Sequence, residues 1–448
     1  KLPWVLDEAD RSNWDGRFTR AAAMALKCKI LLFEASPLFN SDTPYCTTGS
    51  QEANEKHHAW IGRYDQELWT ECLKACQDFF DAVQSNGFYA LVQAEGKTPG
   101  QYRAAFRKAY DERGTTEMLI STRVRYKETF EWNYKFVSEW NNFGGYTPTE
   151  EFVEKFAWKD GRPFDYDQLA KQGNQDTMFV NPDKDWELTR DPRLYETMLV
   201  NGEATAMDEA SGNLSGRMRE MWVGGGTSGV AGALGAREEA AFAQQSVNEA
   251  TAQMGTGLGN QKYYCNADGL RKGYNIQWTY LRLSDIYLTY AEALLQTGDN
   301  AGAIEQIDKV RARVGLKGLK KAYPTENLAS DKKALLERLL QERACELGLE
   351  DSRYFDLIRY KRADILEKPL HKLLTYRLND DGTVNQKMWF GHDQTKGIPY
   401  PSHFKYETAV VKRTRVWWTQ GYDLKWYLQP WPLTEVNKGY GLLQNPGW

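Results

Sequence analysis

Aromatic rings are the chemically usable groups that this sequence supplies in excess. Phe, Trp and Tyr make up 13% of its 448 residues, with 16 Trp and 25 Tyr, although mean hydropathy is only −0.67. A Trp face can stack on a sugar ring or clamp a peptide, and it is equally the largest filler of a core. Carboxylates are plentiful too, but none stands alone in a setting that would make it a general acid or base. The chain contains no HExxH, no GxSxG and no cysteine with an evident catalytic partner. His57 and His58 sit in a polar segment that does not suit a metal. Cys28, Cys46, Cys72, Cys76, Cys265 and Cys345 show neither a CxxC pair nor the repeated spacing of a zinc site. Cys72 and Cys76, at i,i+4 beside Leu73 and Phe79, read as small core residues. A glycosidase working through paired carboxylates is therefore the weaker reading. No cofactor and no metal site is expected, although loops rich in Asp and Asn leave room for a structural calcium.

Charge narrows the partners. The 57 basic and 61 acidic residues give a net charge of −4 and form no run of five or six like charges, which argues against nucleic acid. The apolar stretch Ile30 to Phe33 is bounded by Lys27, Lys29 and Glu34, and no apolar run elsewhere is much longer. That is far short of the roughly 20 residues of a spanning helix.

The elements that must position the rings come next. Arg17 to Phe39 is dense in helix formers, with Asn13 or Asp15 as the N-cap and Pro37 near the end. A second helix from Gln66 to Ser85 places Leu68, Cys72, Ala75, Cys76, Phe79 and Val83 on one stripe and stops at Asn86-Gly87. Together they predict a helical hairpin in a first region, 1–87. From 88 to 280 periodicity weakens and short segments such as Glu117 to Val124 predict long loops with few strands. Met221 to Gly259 is Gly/Ala-rich and predicts a surface loop holding a short helix; no apolar strand precedes its glycines, so a phosphate loop is rejected.

The third region, 281–448, carries the clearest pattern. Tyr287, Tyr290, Ala291, Leu294, Ala303, Ile307 and Val310 fall where a tetratricopeptide repeat of about 34 residues alternates large and small side chains. Gly298-Asp299-Asn300 marks the reversal, and Gly315 stands where Pro is common. Helices from Asp331 to Gly348 and from Ser352 to Leu366 predict another hairpin. The fold class is thus mainly α: tetratricopeptide-like hairpins with long aromatic-rich loops and few short strands.

Three ordered blocks in this region resemble the SusD/RagB family of nutrient-binding outer-membrane lipoproteins. LRLSDIYLTYAEALLQTGDNAGAIEQIDKVRARVGL, Leu281 to Leu316, is similar to its R-L-x-D-x-Y-L-x-Y-A-E-A helix and following N-x-V-R-x-R helix, with Asp308 in place of the Asn. LLQERACELGLEDSRYFDLIRYKRA, from Leu339, resembles its E-R-x-x-E-L block. WYLQPWPLTEVNKGYGLLQNPGW, Trp426 to Trp448, resembles its terminus, with Trp431 and Trp448 as departures. GRFTRAAAMALKCKILLFEASPLF and the stretch Arg190 to Leu199 also fit. Glu342, Glu346, Arg353, Asp356 and Arg359 have the spacing of ion pairs that align helices rather than of catalytic acids. QNPGW is expected to pin the C-terminus with a turn and a buried ring.

The resemblance implies a Bacteroidetes-type cell-surface lipoprotein that captures a glycan, or in some members an oligopeptide, without catalysis. It would sit as a lid over a SusC-like TonB-dependent barrel transporter. Membrane attachment would come through a lipid anchor, and an N-terminal helical portion is expected to be missing from this sequence. For a glycan, rings would stack on sugar faces while amides bind hydroxyls. The loop residues placed to do this are Trp132, Trp140, Asn141, Asn142, Trp158, Trp222, Tyr263 and Tyr264. Trp278, Trp426 and Trp431 are assigned to the core, and Trp417-Trp418 to opposite faces of a strand.

Overall fold

The structure is a computed structural model that describes residues 2–14, 16–123, 147–173, 175–207, 214–218, 221, 256–263, 277–384, 402–411 and 414–448. Its principal elements are α1 (Arg20–Ala35), α2 (Glu67–Asn86), α3 (Pro99–Asp111), β1 (Met118–Arg123), α4 (Pro192–Thr197), β2 (Gln277–Arg282), α5 (Leu283–Gln296), α6 (Asn300–Ala312), α7 (Lys332–Glu346), α8 (Arg353–Arg359), β3 (His371–Arg377) and β4 (Phe404–Val410). The mainly helical reading holds, with strands confined to small antiparallel pairs.

α1 and α2 pack through small residues facing large ones. Ala21, Ala25, Cys28 and Leu32 meet Trp69, Cys72, Cys76 and Phe79, all buried. Each Leu or Phe so buried contributes about 1.5–3 kcal/mol. The cap of α1 is Thr19, whose hydroxyl accepts the Ala22 N–H at 3.1 Å, not Asn13 or Asp15. Asn13 falls inside a separate short helix, Glu8–Trp14, and Asp15 lies outside the described residues, whereas Thr19 has the extended backbone that a cap needs. α5 and α6 form the expected repeat-like pair over a core that includes Ala291, Leu294, Ala303, Ile307 and Val310. Asp299 caps α6 by accepting the Gly302 N–H at 2.8 Å. Gly315 replaces the usual Pro for a definite reason: its φ of +76° is closed to proline, and an added Cβ would lie 2.5 Å from the Tyr102 ring.

The middle region departs from expectation. It contains a full helix, α3, fixed by a capping box in which Thr98 and Gln101 exchange hydrogen bonds of 3.2 Å. The described ends of the predicted surface loop are interior: Met221 and Leu258 are buried, Gly259 and Asn260 pair with Leu199 and Met198, and Leu373 donates to Thr256 O at 2.8 Å. Backbone groups that would be orphaned in a buried loop are satisfied there by pairing. In the C-terminal region α8 has only seven residues, and β3 and β4 form a two-stranded antiparallel pair that helical periodicity does not reveal.

Between these elements lies a joint of buried charge. Arg282 bonds Glu346 at 2.7 Å and Glu350 at 2.8 Å, while Arg313 bonds Glu117 at 2.6 Å and also Glu346. Arg193 of α4 reaches Glu342 at 2.6 Å, Glu346 at 3.0 Å and Asp191 at 2.8 Å. Burial alone would raise the Glu346 carboxyl, but Arg313, Arg282 and Arg193 hold it well below the usual range. The motif charges therefore do align elements, mostly across the fold; of these residues only Asp356 and Arg359 pair at i,i+3.

Candidate functional site

Strand alternation creates the first wall of a cleft. In β2, Thr279 turns inward and donates to Tyr110 O at 2.8 Å, so its neighbour Tyr280 turns out and is 54% exposed. The first turn of α8 supplies the second wall: Asp356 faces in while Phe355 stays 45% exposed. Phe33 of α1 completes the rim, meeting Phe355 edge-on with ring centroids 6.1 Å apart. The enclosed volume is about 290 Å³, with Lys29, Arg343, Glu350, Asp351 and Ser352 also in its lining. Such a cleft has the size and mixed lining of a small-ligand site.

Its floor is charged but neutralised. Asp285 receives Lys29 at 3.0 Å and Arg343 at 2.9 Å. Arg343 also bonds Asp356 at 2.9 Å and Ser352 at 3.2 Å, and Arg359 bonds Asp356 at 3.0 Å. Burial pushes the Asp285 carboxyl up, yet Lys29 and Arg343 more than offset it, and the net shift is downward. Asp356 behaves alike under Arg343 and Arg359, and Glu350 under Arg282 and Lys262. A glycosidase pair needs one carboxyl held protonated. These three are held ionised.

Two groups of rings lie outside the cleft lining. Phe355 touches Tyr354 at 5.6 Å, and a second group surrounds Tyr422, whose phenol is pushed up by burial and then by the charges of Tyr354 and Tyr427. Tyr422 meets Trp417 at 6.0 Å and Trp426 at 5.5 Å, and Trp417 meets Trp426 at 5.6 Å.

The ring positions read from sequence fare differently. Trp132, Trp140, Asn141, Asn142, Trp222 and Tyr264 lie outside the described residues. Trp158 is half-buried against Phe164 at 5.0 Å, with Arg190 over its face. Tyr263 is a core residue, 1% exposed and stacked on Trp278 at 5.1 Å. Neither Trp158 nor Tyr263 enters the cleft; both fill gaps that distant elements close over. Trp278 is half-buried beside the core as expected, and Trp426 is half-buried in its ring cluster. Trp431 is instead 47% exposed, because its backbone is tied to Gln444 at the surface. Trp417 and Trp418 lie on a short helix rather than a strand, and both are half-buried. Trp448 pins the terminus as expected, donating from Nε1 to Lys425 O at 3.1 Å and Leu428 O at 3.0 Å, but its ring stays 37% exposed. Tyr280, Phe33, Tyr354 and Phe355 were not singled out. Alternation along QWTYLR was the available signal for Tyr280.

The family model described as the SusD family matches residues 110–448. The chain belongs to the SusD family. Among solved structures it is similar to a SusD-like protein from Bacteroides fragilis, at 21% identity and TM-score 0.59, covering 100% of this chain and 68% of that one. It is also similar to the protein BT4246, at 20% identity and TM-score 0.66, covering 100% of this chain and 73% of that one. A SusD-like carbohydrate binding protein from Bacteroides fragilis aligns at 18% identity and TM-score 0.52, covering 97% of this chain and 66% of that one. No curated protein matches the sequence. The SusD fold thus accounts for the family-like blocks as architecture: Arg282, Glu342, Glu346, Asp356 and Arg359 all sit in the buried joint or beneath the cleft.

Proposed function

We propose that this SusD-family chain captures glycans at the surface of a Bacteroidetes-type cell and delivers them, as a lid, to a SusC-like TonB-dependent outer-membrane transporter. The observation that carries this reading is a ring-rimmed cleft, set on a SusD scaffold, whose buried charges are already paired with one another. Stacked rings and a neutral floor suit the apolar faces and hydroxyls of sugars. The fold neighbour from Bacteroides fragilis that is called a carbohydrate binding protein supports the same ligand class. Binding is the whole of the proposed activity: Asp285, Asp356 and Glu350 are ion-paired and held ionised, and the proposal calls on no cofactor. Among the described residues no helix is long and apolar enough to cross a membrane. In the proposed reading, attachment runs through a lipid anchor and the barrel.

Isolation of the native complex in mild detergent, followed by mass spectrometry of co-purifying proteins and small molecules, tests this. A large barrel with bound saccharide is the expected result. A barrel with heterogeneous peptides would move the function to oligopeptide uptake, and absence of a barrel would remove the lid role.

A further inference from the structure

We infer that a small cavity at the start of α1 is a binding site for a phosphate group, held by the guanidiniums of Arg11 and Arg17 and the hydroxyl of Thr115. The cavity shares no lining residue with the cleft. This inference therefore stands apart from glycan capture, and neither depends on the other.

Charge is the first observation. Arg11 and Arg17 both line the cavity. Arg11 spends its Nε on Leu6 O at 3.1 Å and lies over the Phe88 ring at 4.8 Å; Arg17 lies over the Trp14 ring at 3.4 Å. Stacking of this kind fixes a guanidinium plane and leaves its N–H edge free to donate. Asp7, Glu8 and Asp10 share the stretch of chain that carries Arg11, but among the described residues no carboxylate is ion-paired with either arginine. Two positioned cations without a counter-ion are open to an anion.

An unmade hydrogen bond is the second. Thr115 is only 8% exposed and lines the same cavity, yet its Oγ1 has no hydrogen-bond partner among the described residues. The neighbouring hydroxyls of the lining are engaged: Thr19 accepts the Ala22 N–H at 3.1 Å, and Ser121 accepts from Gln277. A buried hydroxyl left alone is costly, and a ligand that accepts from it removes the cost. The groups gathered here are donors, which suits an oxygen-rich anion rather than a cation or an apolar ligand.

Size and field set the class. The cavity encloses about 40 Å³. One water needs about 10–15 Å³ and small-molecule pockets run from about 300 Å³ upward, so this space takes a tetrahedral oxyanion and excludes a sugar ring. Gly16, at a φ of +96°, lets the wall close: a Cβ there would stand 3.1 Å from Ser121 O. Thr19, the cap of α1, is also in the lining, so the positive end of a 16-residue helix faces the same space as the two arginines. Trp14 and Phe18, which flank Gly16 and Arg17 in the chain, are 43% and 46% exposed. A free phosphate and a phospholipid headgroup beneath those rings offer the same chemistry, and the experiment separates them.

Calorimetric titration of the full chain with inorganic phosphate, at an ionic strength held constant with chloride, tests the site. Saturable binding of one phosphate per chain is expected. Arg17→Gln alters an exposed residue and leaves the core intact; it should weaken binding by about tenfold, the scale of one charge-assisted hydrogen bond. Arg11→Gln combined with Arg17→Gln should abolish it, with thermal melts verifying the fold. Thr115→Val should also weaken phosphate binding, yet melt no lower than wild type without phosphate, because it removes a hydroxyl that bonds nothing. Co-sedimentation with phosphatidic acid vesicles but not with phosphatidylcholine vesicles, competed by inorganic phosphate, assigns the headgroup; calorimetric binding without co-sedimentation assigns a soluble phosphate. Absence of saturable phosphate binding, or binding that the two arginine variants leave unchanged, overturns the site. Thr115→Val that binds phosphate as wild type does overturns the part given to its hydroxyl. None of these results bears on glycan capture, which the native complex tests separately.

Discussion

The buried joint around Glu346 and the cleft around Phe355 are built from the same charged residue types and do opposite jobs. In the joint, Arg282, Arg313, Glu117 and Glu346 are wholly enclosed and bond one another from β2, the end of α6, the segment before β1 and α7. Beneath the cleft, Lys29, Arg343, Asp285 and Asp356 are likewise paired, but rings stand open above them. Paired charge in both places is architecture. What distinguishes the cleft is exposed aromatic surface, and that surface is where recognition belongs.

The largest way to break this comparison is to remove the hub of the joint. Glu346→Ala takes a carboxylate from three guanidiniums at once, those of Arg193, Arg282 and Arg313, in an enclosed space, and should cost about 3 kcal/mol or more. Urea unfolding reads it directly; a loss under about 1 kcal/mol would mean that the joint does not hold these elements together. Next is the same operation under the cleft. Asp285→Ala releases Lys29 and Arg343, so stability should fall by about 2 kcal/mol, while affinity for uronic-acid oligomers should rise relative to neutral ones. If the preference stays put, the ion pairs are not what makes the cleft neutral.

Glu150 sharpens the contrast from the other side, being a buried carboxyl with no guanidinium bonded to it among the described residues. Burial, then Glu154 and Glu151, raises it to about 8, only partly offset by Arg190. Arg190 is itself occupied with the carbonyls of Val153 and Phe156 at 2.9 and 2.7 Å. Because the folded-state value lies above the ordinary value of 4.5, the folded state binds the extra proton between those limits, and stability falls as pH rises through that window. Glu150→Gln should therefore stabilise relative to wild type, by about 1 kcal/mol or more at pH 8 and far less near pH 5. Thermal melts at the two pH values decide it, and an equal effect at both would remove the carboxyl from the account. The smallest effect belongs to open surface: Lys74→Ala breaks an exposed i,i+4 pair with Asp78 and should shift stability by less than about 0.5 kcal/mol in the same melts.

Much of the scaffold was legible because it is local. The α1–α2 stripe, the α5–α6 reversal at Gly298 and the Asp331 cap of α7 depend on residues within a few positions of one another. α3 was equally local, since Thr98, Pro99 and Gln101 spell its start. The candidate site was not legible, and Trp158 and Tyr263 show why. A ring in an aperiodic segment reads the same whether a distant element covers it or not. Tyr263 lies under Trp278 and Tyr110, and Trp158 lies against Phe164 and Arg190.

By itself, then, the amino-acid order determined the helices, the SusD-family blocks and the kinds of residue that would pair, because capping, periodicity and turn chemistry act over one or two helical turns. Tertiary structure alone decided which rings stay open and which charges are spent. Phe33, Tyr280 and Phe355 come from three separate stretches of chain and share one cleft, and Glu346 finds partners on three different segments. Exposure and ion pairing are properties of what else arrives at a place, which no window of sequence contains.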